Sequence, residues 1–365
     1  MLHSYSIACR RYCLSMLKRG VFDLRLVEAP PVNWTQRAHD QEVHDTYQDT
    51  LGSLEGIRQG EKPDILLRMD TPLRIDPPFQ QRTFFFGTSE FCILTAANFA
   101  GPFSAERVRN EPLLRVVTPS AWSAKGFEQV GFLKEQIAVV PLGFDPAIFR
   151  PDAVSRQATR QRLGIGEDEV VFFLAGNMTP TKGVQFLLPA FARIAAINPR
   201  VRLLIKGQDA LYESNQKLLK NLSELPAADQ QRVRDRLLYF GDNLSDAYMA
   251  LLFRAADVYV APYMGEGFAM PVLEAAASGL PSICTQGGPT DEFTDPSYCL
   301  RIESTARSIA NGIVLEPHVD HLTELMARVA QDPSWRLQAG QRASQDAHNR
   351  FTWDKVTDLL IQELL

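Results

Sequence analysis

The stretch from Asp257 to Pro281 constrains the fold more than any other part of the chain. Asp257-Val258-Tyr259-Val260-Ala261-Pro262 has the continuous apolar character of a strand buried on both faces of a parallel sheet. Gly265-Glu266-Gly267-Phe268-Ala269 then reads as a loop. A helix follows, because Pro271 suits the first helical position, Gly279 suits the C-terminal stop and Pro281 prevents continuation. Strand, glycine loop and helix in this order call for an open α/β sheet. Such sheets bind ligands at the carboxyl ends of their strands, and the free amides of a helix start attract phosphate. Glu266 is then expected in the loop over the ligand, and Glu274 a turn inside the helix, with seven residues between them. Gly265, Gly267 and Phe268 share the loop with Glu266, and Val272 and Leu273 supply the helix-start amides.

A second loop of the same kind lies upstream. Val170 to Ala175 reads as a strand and Val184 to Ile197 as a helix, with Pro189 expected to kink or restart it. Between them stands Gly176-Asn177-Met178-Thr179-Pro180-Thr181-Lys182-Gly183. Lys182 is expected to point into the crevice beside the helix start, where an ammonium can neutralise phosphate. Val201 to Lys206, Leu237 to Phe240 and Pro281 to Cys284 read as further strands, and Ser245 as the N-cap of a helix through Ala256. Helices are expected over Asp320 to Ala330 and Ser334 to Asn349, with a last one starting near Phe351.

The first half alternates more weakly. Tyr5 to Arg19 reads as a helix, followed by strands at Asp23–Val27, Pro63–Met69, Thr83–Gly87, Leu114–Thr118 and Ile137–Pro141. The proline-rich run from Pro141 to Pro151 reads as a linker. The expected domains are therefore 1–150 and 151–350, each Rossmann-like, with 351–365 as a terminal helix. Glu90 and Ser120 follow strands of the first half, where a substrate contact and a capped turn look alike.

The Glu266–Glu274 pair with its glycines, Pro271, the small residues Ala275 to Ala277 and Gly279-Leu280-Pro281 resembles the Glu-x7-Glu motif of retaining glycosyltransferases of the GT-B fold, family 4. The resemblance covers essentially the whole chain. It is specific from Val170 to Pro281 and diffuse before Arg150. It implies two Rossmann-like domains facing a cleft, with the last helix returning to the first domain and Trp353 as its packing anchor. It implies a nucleotide-sugar donor, UDP- or GDP-linked, rather than a resident cofactor. In the family the first glutamate and the glycines after it meet the donor sugar, here Glu266, Gly267 and Phe268. The second glutamate, here Glu274, binds the ribose hydroxyls, and a carboxylate can accept both protons of a diol. The segment Phe240 to Ser245, with Leu244, resembles the one whose backbone reads the base. Family members usually carry Gly-Arg several residues before Lys-Gly; here Asn177 stands in place of the arginine, so one cation is missing.

The resemblance also implies a strand and glycine-rich loop ahead of the first helix. This chain opens at Met1-Leu2-His3-Ser4-Tyr5, so both are expected to be absent, through a misassigned start or through loss of part of the site. A non-catalytic GT-B subunit that stabilises a partner enzyme is the alternative this raises, and a GT-B phosphorylase or sugar epimerase is a third reading. Retention of Lys182, Glu266 and Glu274 favours the enzyme.

Composition narrows the partners. A net charge of −5 argues against nucleic-acid binding by phosphate neutralisation. The five cysteines form no CxxC pair and suggest no zinc site. No Asp-x-Asp cluster is present to hold a metal on a diphosphate, so metal-independent chemistry is expected. No run reaches the roughly 20 apolar residues of a membrane span. The cytoplasm is the expected setting, with a peripheral membrane contact compatible with a lipid-linked acceptor. A glycan or small-molecule acceptor fits equally.

Overall fold

The computed structural model describes residues 4–26, 51–58, 60–75, 80–101, 103–310 and 312–365. The chain divides into two compact units, Met1–Gly143 with Phe351–Leu365, and Phe144–Arg350. No described helix is long and apolar enough to cross a membrane.

The first unit carries β1 (Ile65–Arg68), β2 (Leu73–Arg74), β3 (Arg82–Phe86), β4 (Phe99–Ala100), β5 (Leu114–Thr118) and β6 (Ile137–Val139). Four of these form a parallel sheet in the order β1-β3-β5-β6. Its core includes Phe85, Phe127 and Phe132, whose ring centroids lie 5.5–6.1 Å apart. The last helix, Trp353–Leu364, packs on the first, Ser4–Arg19. The Trp353 ring meets Tyr12 edge-on at 5.3 Å, and the buried Tyr12 hydroxyl donates to the Pro141 carbonyl. Backbone closeness supports this seat: a Cβ on Gly143 would stand 2.8 Å from the Trp353 nitrogen. Exposed pairs such as Lys18–Asp354 add little to it.

The expected strand at Asp23–Val27 is not formed in its described part; Val27 and residues 1–3 lie outside the described residues. Leu26 makes one isolated parallel bridge with Gly56. The reason is physical: Leu26 is half exposed, and Asp23 and Arg25 spend their side chains on surface ion pairs. No apolar face remains to hold a strand in a sheet.

The second unit is built on six parallel strands: β7 (Val170–Ala175), β8 (Val201–Lys206), β9 (Leu237–Phe240), β10 (Val258–Ala261), β11 (Ser282–Thr285) and β12 (Cys299–Ile302). Their order is β12-β11-β10-β7-β8-β9. This is the doubly wound order 3-2-1-4-5-6, and its switch point lies between β7 and β10. One sheet face, with Phe172, Leu174, Leu203, Ile205, Val258 and Val260, packs on helices Val184–Ile197 and Val319–Gln331. The other face carries Phe173 and Tyr259, which clasp Phe253 of helix Asp246–Ala255 at 5.1 and 5.8 Å. An added hairpin, β13 (Ser304–Ile309) and β14 (Gly312–Pro317), follows β12.

Pro189 does not break its helix, which runs unbroken from Val184 to Ile197. A helical proline costs about 3 kcal/mol. Burial of Leu187, Leu188, Phe191 and Ile194 on the same helix offsets this, at about 1.5–3 kcal/mol for each large apolar side chain.

Candidate functional site

Two loops meet where β7 and β10 end. After β7 the chain passes through Gly176 and Asn177 to a short turn, Pro180–Lys182, and then to Gly183. The Asn177 side-chain oxygen accepts from the Thr179 hydroxyl at 2.6 Å, and Thr179 and Thr181 share a hydroxyl contact at 2.8 Å. These bonds shape the turn that presents Lys182. The aliphatic stem of Lys182 crosses Gly176, where an added Cβ would lie 3.4 Å from its Cδ.

After β10 the chain turns through Tyr263, which is fully buried. Its hydroxyl contacts the Thr290 hydroxyl at 2.8 Å, and its carbonyl accepts from the Thr285 hydroxyl at 2.7 Å. The two loops are then joined by backbone. The Met264 amide donates to the Thr181 carbonyl at 2.7 Å, and the Met264 carbonyl accepts from Leu315 of the hairpin at 2.8 Å. Gly183 closes the junction with φ +76°. A Cβ there would collide with the Pro262 carbonyl oxygen. Gly183→Ala therefore combines a left-handed backbone, about 1–2 kcal/mol for an L-residue, with a collision. The expected result is a lower melting temperature and lost activity, read by thermal melt and turnover on the same preparation.

The junction brings Lys182 and Glu266 together. Lys182 Nζ donates to Glu266 Oε1 in a largely shielded ion pair, with side-chain exposures of 22% and 12%. Gly265, Gly267 and Phe268 around Glu266 are buried. The Phe268 ring stacks on Phe293 at 4.5 Å, so that side chain packs the loop from within. Glu274 is half-buried in the helix Met270–Ala277. Its charge reaches the same strand ends. Burial pushes the Tyr259 hydroxyl well above its ordinary pKa, and the Glu266 and Glu274 carboxylates add to that rise. Tyr259 exchanges hydrogen bonds with the backbone N–H and C=O of Ala175, the last residue of β7. The carboxylates thus stand around the switch point.

The helix start differs from the sequence expectation. It begins at Met270, one residue early, so Pro271 lies inside the first turn. The Val272 amide is spent on the Ala269 carbonyl at 3.0 Å. Pro271 has no N–H, so neither it nor Val272 presents an open amide in this geometry, and Leu273 follows them in the same first turn. Ala269, the N-cap, takes φ +72°, a left-handed conformation that costs an alanine about 1–2 kcal/mol. Sequence pattern gives no signal for this, because alanine carries no turn signature. Ala269→Gly relieves that strain but adds about 0.4–1 kcal/mol of unfolded-chain entropy. A net gain of roughly 0.5–1 kcal/mol in urea unfolding is expected.

Leu244 is half-buried beside Ser245, which caps its helix by accepting from the Tyr248 amide. Gln208 donates to Asn243 at 3.3 Å, linking the ends of β8 and β9. In the first unit Ser120 is a helix cap, accepting from the Ser123 amide, and the Glu90 carbonyl accepts from the Trp122 indole.

The family described as "Glycosyl transferases group 1" matches residues 155–346, more than half of the chain. An MMP alpha-(1->4)-mannosyltransferase of Mycolicibacterium hassiacum is 29% identical over 223 residues, 61% of this chain and 46% of that protein. A D-inositol 3-phosphate glycosyltransferase of Stackebrandtia nassauensis is 31% identical over 237 residues, 62% of this chain and 48% of that protein. The chain thus spans about half the length of the curated relatives it matches. Among solved structures, WaaG, a glycosyltransferase involved in lipopolysaccharide biosynthesis, aligns with a TM-score of 0.66 at 16% identity, covering 100% of this chain and 96% of that one. Anabaena Alr3699/HepE in complex with UDP and glucose aligns at 0.61 with 18% identity, covering 78% and 72%. These likenesses establish the fold as GT-B.

Proposed function

Because the chain belongs to the glycosyl transferases group 1 family, we propose that it moves a hexose from a nucleotide sugar to an acceptor hydroxyl with retention of configuration. The observation that carries this reading is the pairing of Lys182 with Glu266 at the β7–β10 switch point, with Glu274 on the helix that follows the same loop. A cation and two carboxylates are what a sugar diphosphate donor needs. Lys182 neutralises the leaving diphosphate, Glu266 and the backbone around Gly265, Gly267 and Phe268 meet the sugar, and Glu274 accepts from the ribose hydroxyls. Asn177 donates one neutral hydrogen bond where a second cation would stand, and Leu244 lies in the segment facing the base. The lysine supplies charge that a metal on the diphosphate would otherwise supply.

In this reading the second unit, with the linker before it, binds the donor, and the first takes the acceptor. The HepE complexes with UDP and UDP-glucose support a nucleotide-linked hexose, which this reading takes as UDP- or GDP-linked. A glycan, a lipid-linked sugar or a small hydroxylated metabolite suits as acceptor. Transfer takes place on the front face, with the leaving phosphate helping to take the acceptor proton. No protein nucleophile is required.

The test is a proton NMR time course with UDP- and GDP-hexoses, with water or a panel of hydroxylated acceptors present. The reading expects nucleoside diphosphate release and a product whose first-formed anomer matches the donor. An inverted first-formed anomer would overturn retention.

A further inference from the structure

Lys206 ends β8 with its side chain fully buried. Its ammonium donates to the carbonyl of Gly207, its one hydrogen-bond acceptor among the described residues. An ammonium has three donors, so most of its capacity is unspent in a place where a bare charge is costly. Burial lowers its pKa to about 8, while Asp209 and Asp242 favour the charge through space. Asp209 is engaged elsewhere: it accepts from the Tyr239 hydroxyl at 2.5 Å and from the Asn215 amide at 2.8 Å.

Register fixes where Lys206 stands. It is the lateral partner of Ala175 on β7, and Phe173, two residues before Ala175, is the partner of Tyr259 on β10. Side chains of laterally paired residues, and of residues two apart, share a sheet face. Lys206, Ala175 and Tyr259 therefore lie along one face across three neighbouring strands, on adjacent spacings of about 4.8 Å. At the β10 end of this row are the charges of Glu266 and Glu274. The residue between the two ends is a small alanine, whose backbone N–H and C=O are bonded by the Tyr259 hydroxyl.

We propose that Lys206 selects the nucleobase of the donor, its ammonium turning from the Gly207 carbonyl to donate to an exocyclic carbonyl oxygen of uracil, thymine or guanine. This rests on the reading that the second unit binds a nucleoside diphosphate. With the diphosphate at Lys182 and the ribose at Glu274, the base extends over Ala175 towards β8. A donor-only group suits a keto oxygen and opposes the exocyclic amino group of adenine. The nearby carboxylates of Asp209 and Asp242 disfavour a phosphate at this end, which leaves a neutral oxygen as the better acceptor. The unbranched stem gives the ammonium the reach to turn.

The experiment is calorimetric titration of UDP, GDP, ADP and inorganic pyrophosphate into wild type and Lys206→Met, with melting curves of both without ligand. Wild type is expected to bind UDP or GDP better than ADP. Lys206→Met is expected to lose about tenfold or more in affinity for the preferred keto nucleotide, with pyrophosphate binding unchanged. It should melt no lower than wild type, because a methionine stem fills the same space without a buried charge. A second readout is pH. Wild-type affinity should fall as the ammonium deprotonates through about pH 8, and the variant should not show that fall. The charged groups acting on Lys206 are Asp209 and Asp242; Tyr239 pairs laterally with Ile205 and so lies on the other face, where burial and the Asp209 bond hold its hydroxyl protonated above that range. Equal keto-nucleotide affinity in wild type and variant would overturn the assignment and make Lys206 a structural lysine. Failure of wild type to bind any nucleoside diphosphate would instead overturn the donor-site reading beneath it.

Discussion

Lys182→Ala is expected to lower kcat by about 10²–10³-fold, the usual loss when one preorganised electrostatic stabiliser of a developing negative charge is removed. The charge on the leaving diphosphate grows as the glycosidic bond breaks. A cation fixed there favours the transition state over the bound donor, so the loss should fall mainly on kcat rather than on donor affinity. The structure explains why the cation is fixed. Its stem lies on Gly176, its turn is tied to Met264 by a backbone bond, and its head is held by Glu266. The same pairing has a second consequence. Removing Lys182 leaves the shielded Glu266 carboxylate without this partner, so the variant should also melt lower. Lys182→Arg separates the two effects: it restores the charge and the melting temperature while leaving kcat depressed, because a planar fork does not reproduce a point charge. Unchanged kcat in Lys182→Ala would remove this residue from the mechanism.

Glu274→Ala should act on binding instead. A carboxylate that accepts from both ribose hydroxyls makes two charge-assisted hydrogen bonds, each about 1.5–3 kcal/mol. Losing both costs about a hundredfold or more in donor affinity, at tenfold per 1.4 kcal/mol. The effect should appear in KM for the donor and in the affinity for the nucleoside diphosphate alone. Affinity for a ligand without the ribose, such as pyrophosphate, should change little. Glu274 stands half-buried on a helix that is packed against the helix Pro333–Arg350, so its position is set by rigid structure. Equal losses for pyrophosphate and nucleotide would contradict the ribose assignment.

Much of the second unit was legible because its chemistry is local. Val170–Ala175, Val201–Lys206 and Leu237–Phe240 are short apolar runs bounded by turn residues, and the structure has strands at those same bounds. The Ser245 cap was readable from one side chain before a periodic run. The two site loops stood out because glycine, proline and charge coincide between a strand and a helix. What escaped was set by distant partners. Helix Ala153–Arg162 is largely polar; Arg160 is tied to Asp257 and to the carbonyls of Ala255, Gly166 and Glu169, none of which sequence spacing discloses. Ala269 adopts a glycine-like backbone with no glycine to signal it. Pro189 looked like a breaker because local propensity is visible in sequence and the helix's burial is not. The closed Val272 amide follows from the helix beginning one residue early, within the ordinary error of any boundary read from pattern.

The most direct measurement is calorimetric titration of nucleoside diphosphates into wild type and Glu274→Ala at equal protein concentration. The account predicts one-to-one binding of at least one nucleoside diphosphate to wild type, weakened about a hundredfold in the variant. Binding of equal strength to both proteins, or no binding of any nucleoside diphosphate to wild type, would contradict a donor site at the β7–β10 switch point.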